Sequence, residues 1–171
     1  MKITANKITV ARTALVPVFL ILAYCGLRWI SLAVYIIACL SDFVDGYVAR
    51  RFDQISTFGQ FMDPLADKVL VLSAMCFFVE KGQLPGWAVA IVLVREFAVS
   101  GLRLIAAGHG SVIAADISGK IKTVSTMICL GAMLAFPHIA FINILGMVVI
   151  VVTTLWSGVH YFLANKDVLK I

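Results

Sequence analysis

Asp42-Phe43-Val44-Asp45-Gly46-Tyr47-Val48-Ala49-Arg50, continued by Gly59, Asp63 and Asp67, is the stretch on which the reading of this chain turns. It lies between long apolar runs and holds four of the seven aspartates in the sequence. On insertion scales a carboxylate near the centre of a membrane helix costs about 2.5–3.5 kcal/mol. Four without compensation would cost on the order of 10 kcal/mol, as much as the whole stability of an ordinary domain. Something must neutralise them, and divalent cations are the simplest candidate.

The surroundings make lipid the relevant solvent. The 171 residues are 62% hydrophobic and 13% charged, with a mean hydropathy of +1.04. There is too little polar surface to cover such a chain in water. The length predicts one domain, residues 1–171, all-α and membrane-integral. The formal charge of +5 is spread over the ends of apolar segments. No basic run with interleaved aromatics is present, which argues against nucleic acid as a partner and for anionic headgroups and phosphorylated substrates. Cys25, Cys39, Cys76 and Cys129 stand singly in apolar stretches, without the spacing of a zinc site or disulfide framework. No small-residue cleavage motif follows the first apolar run, so a cleavable signal peptide is not expected.

Six membrane spans are expected, as a six-transmembrane-helix bundle. The first covers Ile8 to Leu27, with Pro17 as a kink point, and the second Ile30 to Arg50. A polar connection from Arg51 to Gly59 leads to the third, Gln60 to Glu80. Lys81-Gly82-Gln83-Leu84-Pro85-Gly86 is a turn, followed by a span from Trp87 to Ala107. Gly108 to Gly119 reads as a loop or partly as the start of the fifth helix, which ends near Phe136. Pro137 and His138 turn the chain into a sixth span ending near Leu163. Connections one, three and five hold only Arg28 and Lys81 among the 14 basic residues. The positive-inside rule therefore predicts cytoplasmic termini, with the aspartate cluster at the cytoplasmic ends of spans two and three.

Asp42 and Asp45 are three residues apart and Asp63 and Asp67 four, so each pair shares one helix face. Two opposed faces offer hard oxygen donors that suit Mg²⁺ or Mn²⁺. Two such ions, about 3.5–4 Å apart, can clamp the phosphates of a nucleotide. Gly46, Ala49 and Gly59 keep the wall low enough for a base or sugar to approach, and Arg50 offers a planar fork to phosphate oxygens. The alternative is that individual aspartates are ion-paired or capping residues near the interface. No Ser-His or Cys-His nucleophile set is visible, so direct in-line attack is the economical mechanism.

The run Asp42-x2-Asp45-Gly46-x2-Ala49-Arg50-x8-Gly59-x3-Asp63-x3-Asp67 resembles, at every position, the signature of the CDP-alcohol phosphotransferases. The resemblance implies a phosphatidyltransferase that passes the phosphatidyl group of a CDP-linked lipid to an alcohol and releases CMP. It implies that Asp42, Asp45 and Asp63 hold metal, with Asp67 as further ligand and as the catalytic general base. On the CDP-diacylglycerol side it implies Asp45, Gly46, Ala49, Arg50 and Gly59, and from Asn6-x2-Thr9-x2-Arg12 also Asn6 and Thr9. Asn6 reads equally well as a helix N-cap. A homodimer in the cell inner (plasma) membrane of a bacterium belongs to the same expectation.

The acceptor is addressed by spans four and five. Arg95-Glu96-x3-Ser100-Gly101-Leu102-Arg103 puts two arginines in an apolar span, and Gly119-Lys120-x-Lys122-Thr123 adds two cations. Buried cations in a bundle interior are functional candidates, and Arg95, Arg103, Lys120 and Lys122 suit an acceptor that itself carries a phosphate. Other readings stand beside this one: a structural pair of Arg95 with Glu96 or an aspartate, and membrane flanking for Lys120 and Lys122. Together these motifs are similar to those of the bacterial phosphatidylglycerophosphate synthases within the family. That similarity implies glycerol 3-phosphate as acceptor, attacking through its C1 hydroxyl. Inositol phosphate, serine or phosphatidylglycerol as acceptor would keep the same chemistry. A divalent-cation transporter is the reading from another class, though Gly46, Ala49, Arg50 and Gly59 have no part in permeation. His109, His138 and His160 read as interfacial residues.

Overall fold

The computed structural model describes the backbone of residues 5–52, 57–108, 113 and 116–166, and the side chains of 13–41, 68–108, 113 and 116–166. Six helices and no strand occur among the described residues: α1 Ala5–Tyr24, α2 Arg28–Phe52, α3 Thr57–Glu80, α4 Gly86–Gly108, α5 Ile117–Ala135 and α6 Ala140–Ala164. Helix is the form that satisfies every backbone group within its own segment, as an apolar solvent requires. Among the described residues, α5 and α6 are long and apolar enough to cross a membrane, and 13–24 and 28–41 form shorter apolar stretches. Helix α4 is of similar length but carries Arg95, Glu96 and Arg103.

Three helix ends, at two connections, differ from the hydropathy reading. Helix α1 stops at Tyr24, not Leu27, because Gly26 turns the backbone left-handed at φ 76°. The Gly26 N–H donates to Ala23 O at 3.2 Å and the Leu27 N–H to Leu22 O at 3.0 Å, the paired closure of a Schellman motif. Helix α2 continues past Arg50 to Phe52, and α3 begins at Thr57, so Gly59 is helical. A helix leaving an apolar solvent keeps its own backbone bonds; only its side chains change polarity there. The Pro17 position lies inside α1, which continues on both sides of it.

The chain forms two compact units, residues 1–80 with 134–136, and residues 81–133 with 137–171. In the first, α1 packs on α2 and α3. Phe19 and Tyr35 meet with ring centroids 5.5 Å apart, and Tyr24 stands edge-on to Phe77 at 5.1 Å. The Tyr24 hydroxyl also donates to Glu80, tying the far ends of α1 and α3. In the second unit α4 packs on α6.

Helix α6 is amphipathic in the inverted sense. Its buried residues, Asn143, Gly146, Ile150, Thr154, Ser157 and Tyr161, recur every three or four positions and are mostly small or polar. Ile144, Leu145, Val148, Val152, Leu155, Val159 and Leu163 are exposed. This is how a helix in lipid is built: apolar outward, with small and polar groups against its neighbours. Gly146 lets α5 come close, since a Cβ there would lie 3.1 Å from Met133 Sδ.

Candidate active site

In the first unit the signature residues fall on the two helix segments flanking the link 53–56. Asp42, Asp45, Gly46, Ala49 and Arg50 lie in the last three turns of α2, and Gly59, Asp63 and Asp67 in the first three turns of α3. Five chain steps separate Phe52 from Thr57, which holds these ends within about 18 Å of each other. With both segments helical, the three- and four-residue spacings give each aspartate pair a common face. The side chains of all eight residues lie outside the described ones. So do those of Asn6 and Thr9, which sit in the opening turns of α1. Because α1 already begins at Ala5, Asn6 is within the helix and does not precede it. His109 also lies outside the described residues.

The donor set suits a divalent ion: four carboxylates are hard, anionic ligands, and no thiol or imidazole accompanies them in the signature. Among the described residues, no group of three or more His, Cys, Asp or Glu side chains could hold a metal.

The second unit shows its cations in detail. Arg95 falls on the inward stripe of α4, in step with Ala88, Val92, Val99, Leu102 and Ala106. Its Nη1 donates to Glu96 Oε1 at 2.9 Å, and its Nη2 donates to the buried Ser157 Oγ of α6 at 2.5 Å. Lys122 of α5, with a side chain only 5% exposed, donates to the same Glu96 oxygen at 2.8 Å. One carboxylate thus serves two cations, and the trio keeps one net positive charge. A pairing of Arg95 with Glu96 is therefore present, shared with Lys122. Lys122 is buried among helices and does not flank them in solvent.

Glycines hem the arginine in. A Cβ on Gly158 would lie 3.3 Å from Arg95 Cγ, and one on Gly119 would lie 3.5 Å from Arg95 Nη2. The Arg95 Nε is buried and has no hydrogen-bond partner among the described residues. Such a donor inside a protein costs about 1–3 kcal/mol until something accepts from it.

Arg103 is two turns further along α4, about 12 Å along the axis, and is not part of the trio. Its Nε donates to the Tyr161 hydroxyl at 2.8 Å, and its guanidinium carbon is 5.4 Å from the centroid of that ring. Tyr161 itself is buried, in a cluster with Val99 and Leu102. Lys120, at the start of α5, is exposed.

Ser157 and Tyr161 were not singled out in the sequence. The available signal is their spacing: polar residues at 143, 154, 157 and 161 recur on one face of a largely apolar helix. A second polar cluster stands at the start of α5. Asp116 accepts from Ser118 Oγ and lies 2.9 Å from His160 Nδ1. The Ser118 hydrogen bond, with smaller help from His160 and the Ile117 N–H, holds the Asp116 carboxyl below its ordinary value.

Comparison with known proteins agrees with the aspartate signature. The CDP-alcohol phosphatidyltransferase family profile matches residues 2–156. A CDP-diacylglycerol–glycerol-3-phosphate 3-phosphatidyltransferase of Bacillus subtilis is 41% identical, with 96% of each chain covered. A protein of the same name from Salmonella paratyphi A is 36% identical, covering 93% of this chain and 92% of the relative. A Mycobacterium tuberculosis protein named "Probable phosphatidylglycerophosphate synthase" is 35% identical over 92% of this chain and 78% of its own length. With nine-tenths of the sequence matched, from the opening turns of α1 into α6, the chain belongs to the CDP-alcohol phosphatidyltransferase family.

Proposed function

We propose that this chain transfers the phosphatidyl group of CDP-diacylglycerol to glycerol 3-phosphate, giving phosphatidylglycerophosphate and CMP. The observation that carries this reading is the agreement of two features. Relatives named for that reaction align over more than nine-tenths of the chain, and the family's aspartate signature is complete.

In the mechanism, Asp67 takes the proton of the C1 hydroxyl of glycerol 3-phosphate as that oxygen attacks the phosphatidyl phosphorus. The new P–O bond forms as the bond to the bridging oxygen of the diphosphate breaks, and CMP leaves. Asp42, Asp45, Asp63 and Asp67 are the residues that would hold Mg²⁺ or Mn²⁺, as two ions. When bound, these ions supply positive charge to the diphosphate and to the leaving CMP. Asn6, Thr9, Asp45, Gly46, Ala49, Arg50 and Gly59 accommodate the CDP moiety. Arg95, Arg103, Lys120 and Lys122 attract the acceptor's phosphate, a dianion that serine, for example, lacks.

The setting is the inner (plasma) membrane of a bacterium. The chain forms one transmembrane domain with six crossings, and its termini and reacting groups face the cytoplasm. The distribution of Lys and Arg supports that orientation. It acts as a homodimer, as the family resemblance implies.

An acceptor panel tests the proposal. Purified protein with labelled CDP-diacylglycerol is expected to release CMP with glycerol 3-phosphate, and not with serine, inositol phosphate or phosphatidylglycerol. Turnover with one of those and none with glycerol 3-phosphate would overturn it.

A further inference from the structure

Both α4 arginines are gripped from α6, by residues one turn apart. Ser157 Oγ accepts from Arg95 Nη2 at 2.5 Å, and the Tyr161 hydroxyl accepts from Arg103 Nε at 2.8 Å. Ser157 and Tyr161 are 0% and 1% exposed, so neither oxygen has solvent as an alternative. An arginine side chain on its own has several rotatable bonds and loses much of its freedom when it binds an anion. A guanidinium already fixed by a buried acceptor loses less, and presents its remaining donors in a set direction. The Tyr161 contact uses Nε, which leaves the two terminal nitrogens of Arg103 as the chemically suited fork for phosphate oxygens. The ring beneath adds a cation–π contact that steadies the same group.

We infer that Ser157 and Tyr161 are positioning residues for the acceptor's phosphate, acting through Arg95 and Arg103. Nothing in the shared aspartate chemistry requires them, so they set how well a phosphorylated alcohol is held and do not affect the donor. The inference rests on the reading that the α4 arginines meet the acceptor. It adds that α6 supplies the groups that aim them, and that its inward polar stripe is part of acceptor selection.

Tyr161→Phe and Ser157→Ala test this, because each removes one oxygen and keeps the side chain's packing. Initial rates are measured in detergent micelles with glycerol 3-phosphate and CDP-diacylglycerol varied separately. Each variant is expected to raise KM for glycerol 3-phosphate about tenfold, the usual effect of one hydrogen bond to a charged group. The KM for CDP-diacylglycerol should stay within about twofold of the parent, since in the reading above neither α4 arginine meets the donor. In an Arg103→Ala background, Tyr161→Phe should add nothing.

An unchanged acceptor KM in both variants, or an equal rise for both substrates, would overturn the positioning role. So would a further loss from Tyr161→Phe when Arg103 is already gone. If Arg95→Ala and Arg103→Ala themselves leave the acceptor KM unchanged, it is the underlying reading of the arginines that fails. The two failures are thus told apart. Should Ser157→Ala fold poorly, Tyr161→Phe with its Arg103 cycle decides alone.

Discussion

Glu96 Oε1 accepts one hydrogen bond from Arg95 Nη1 and another from Lys122 Nζ, and the Glu96 side chain is only 15% exposed. Removing that carboxylate leaves two like charges facing each other in a poorly hydrated place. Glu96→Ala is therefore expected to destabilise the protein by about 3–5 kcal/mol, seen as a lowered thermal midpoint in detergent. Glu96→Gln, which keeps an acceptor oxygen, should lose less. Asp67 lies in the third turn of α3, and its predicted role is proton removal. Asp67→Asn keeps the shape and deletes the base, so transfer should fall by at least about 10²–10⁴-fold. Binding of CDP-diacylglycerol, followed by equilibrium dialysis or quenching, should remain measurable. Near-normal turnover would remove Asp67 from the role of base.

At the scale of elements, Gly26 illustrates a stop signal that hydropathy hides. Leu27 is apolar and extends the hydrophobic run, yet the left-handed turn at Gly26 ends α1 three residues earlier. Among the described residues, chain neighbours aside, no atom lies within 4 Å of where a Cβ would stand, so Gly26→Ala meets only the conformational penalty. That is about 1 kcal/mol, readable as a small loss of thermal stability with activity kept. The start of α5 is pH-sensitive in a definite direction. Because Asp116 titrates below its ordinary value of 3.8 in the folded chain, its stabilising effect is complete above that value. It is lost as pH falls through the lower, folded value. Asp116→Asn should thus lower the melting temperature at neutral pH, and the gap from the parent should close in strong acid. A gap that widened with acid would contradict the assignment. Turn residues such as Pro85 and Pro137 made α3 to α6 legible within a few positions. The α2 and α3 ends were less so, because Arg51 and Gly59, which read as a polar connection, lie inside α2 and α3.

For the molecule as a whole, the family and its chemistry were legible because eight signature positions lie within one local stretch and follow helical spacing. The partners of the cations were not. Arg95–Ser157 and Arg103–Tyr161 are separated by 62 and 58 residues, and no local pattern announces a pairing across that distance. The proposed metal requirement belongs to this scale too, since the four aspartates lie on α2 and α3. Treatment with a chelator should abolish CMP release, and Mg²⁺ or Mn²⁺ should restore it, while Ca²⁺, larger and more loosely coordinated, should restore little. Activity that survives exhaustive chelation would separate this chain from the expected chemistry.

The sequence distances between the α4 arginines and their acceptors also set a timetable for biogenesis. Glu96 adjoins Arg95 in the chain and is made with it, whereas Lys122 follows Glu96 by 26 residues. The hydroxyls of Ser157 and Tyr161 arrive only with the last helix. A nascent chain arrested before α6 would hold α4 with its guanidinium groups incompletely satisfied, a state that membrane quality control could recognise and that insertion of α6 would end.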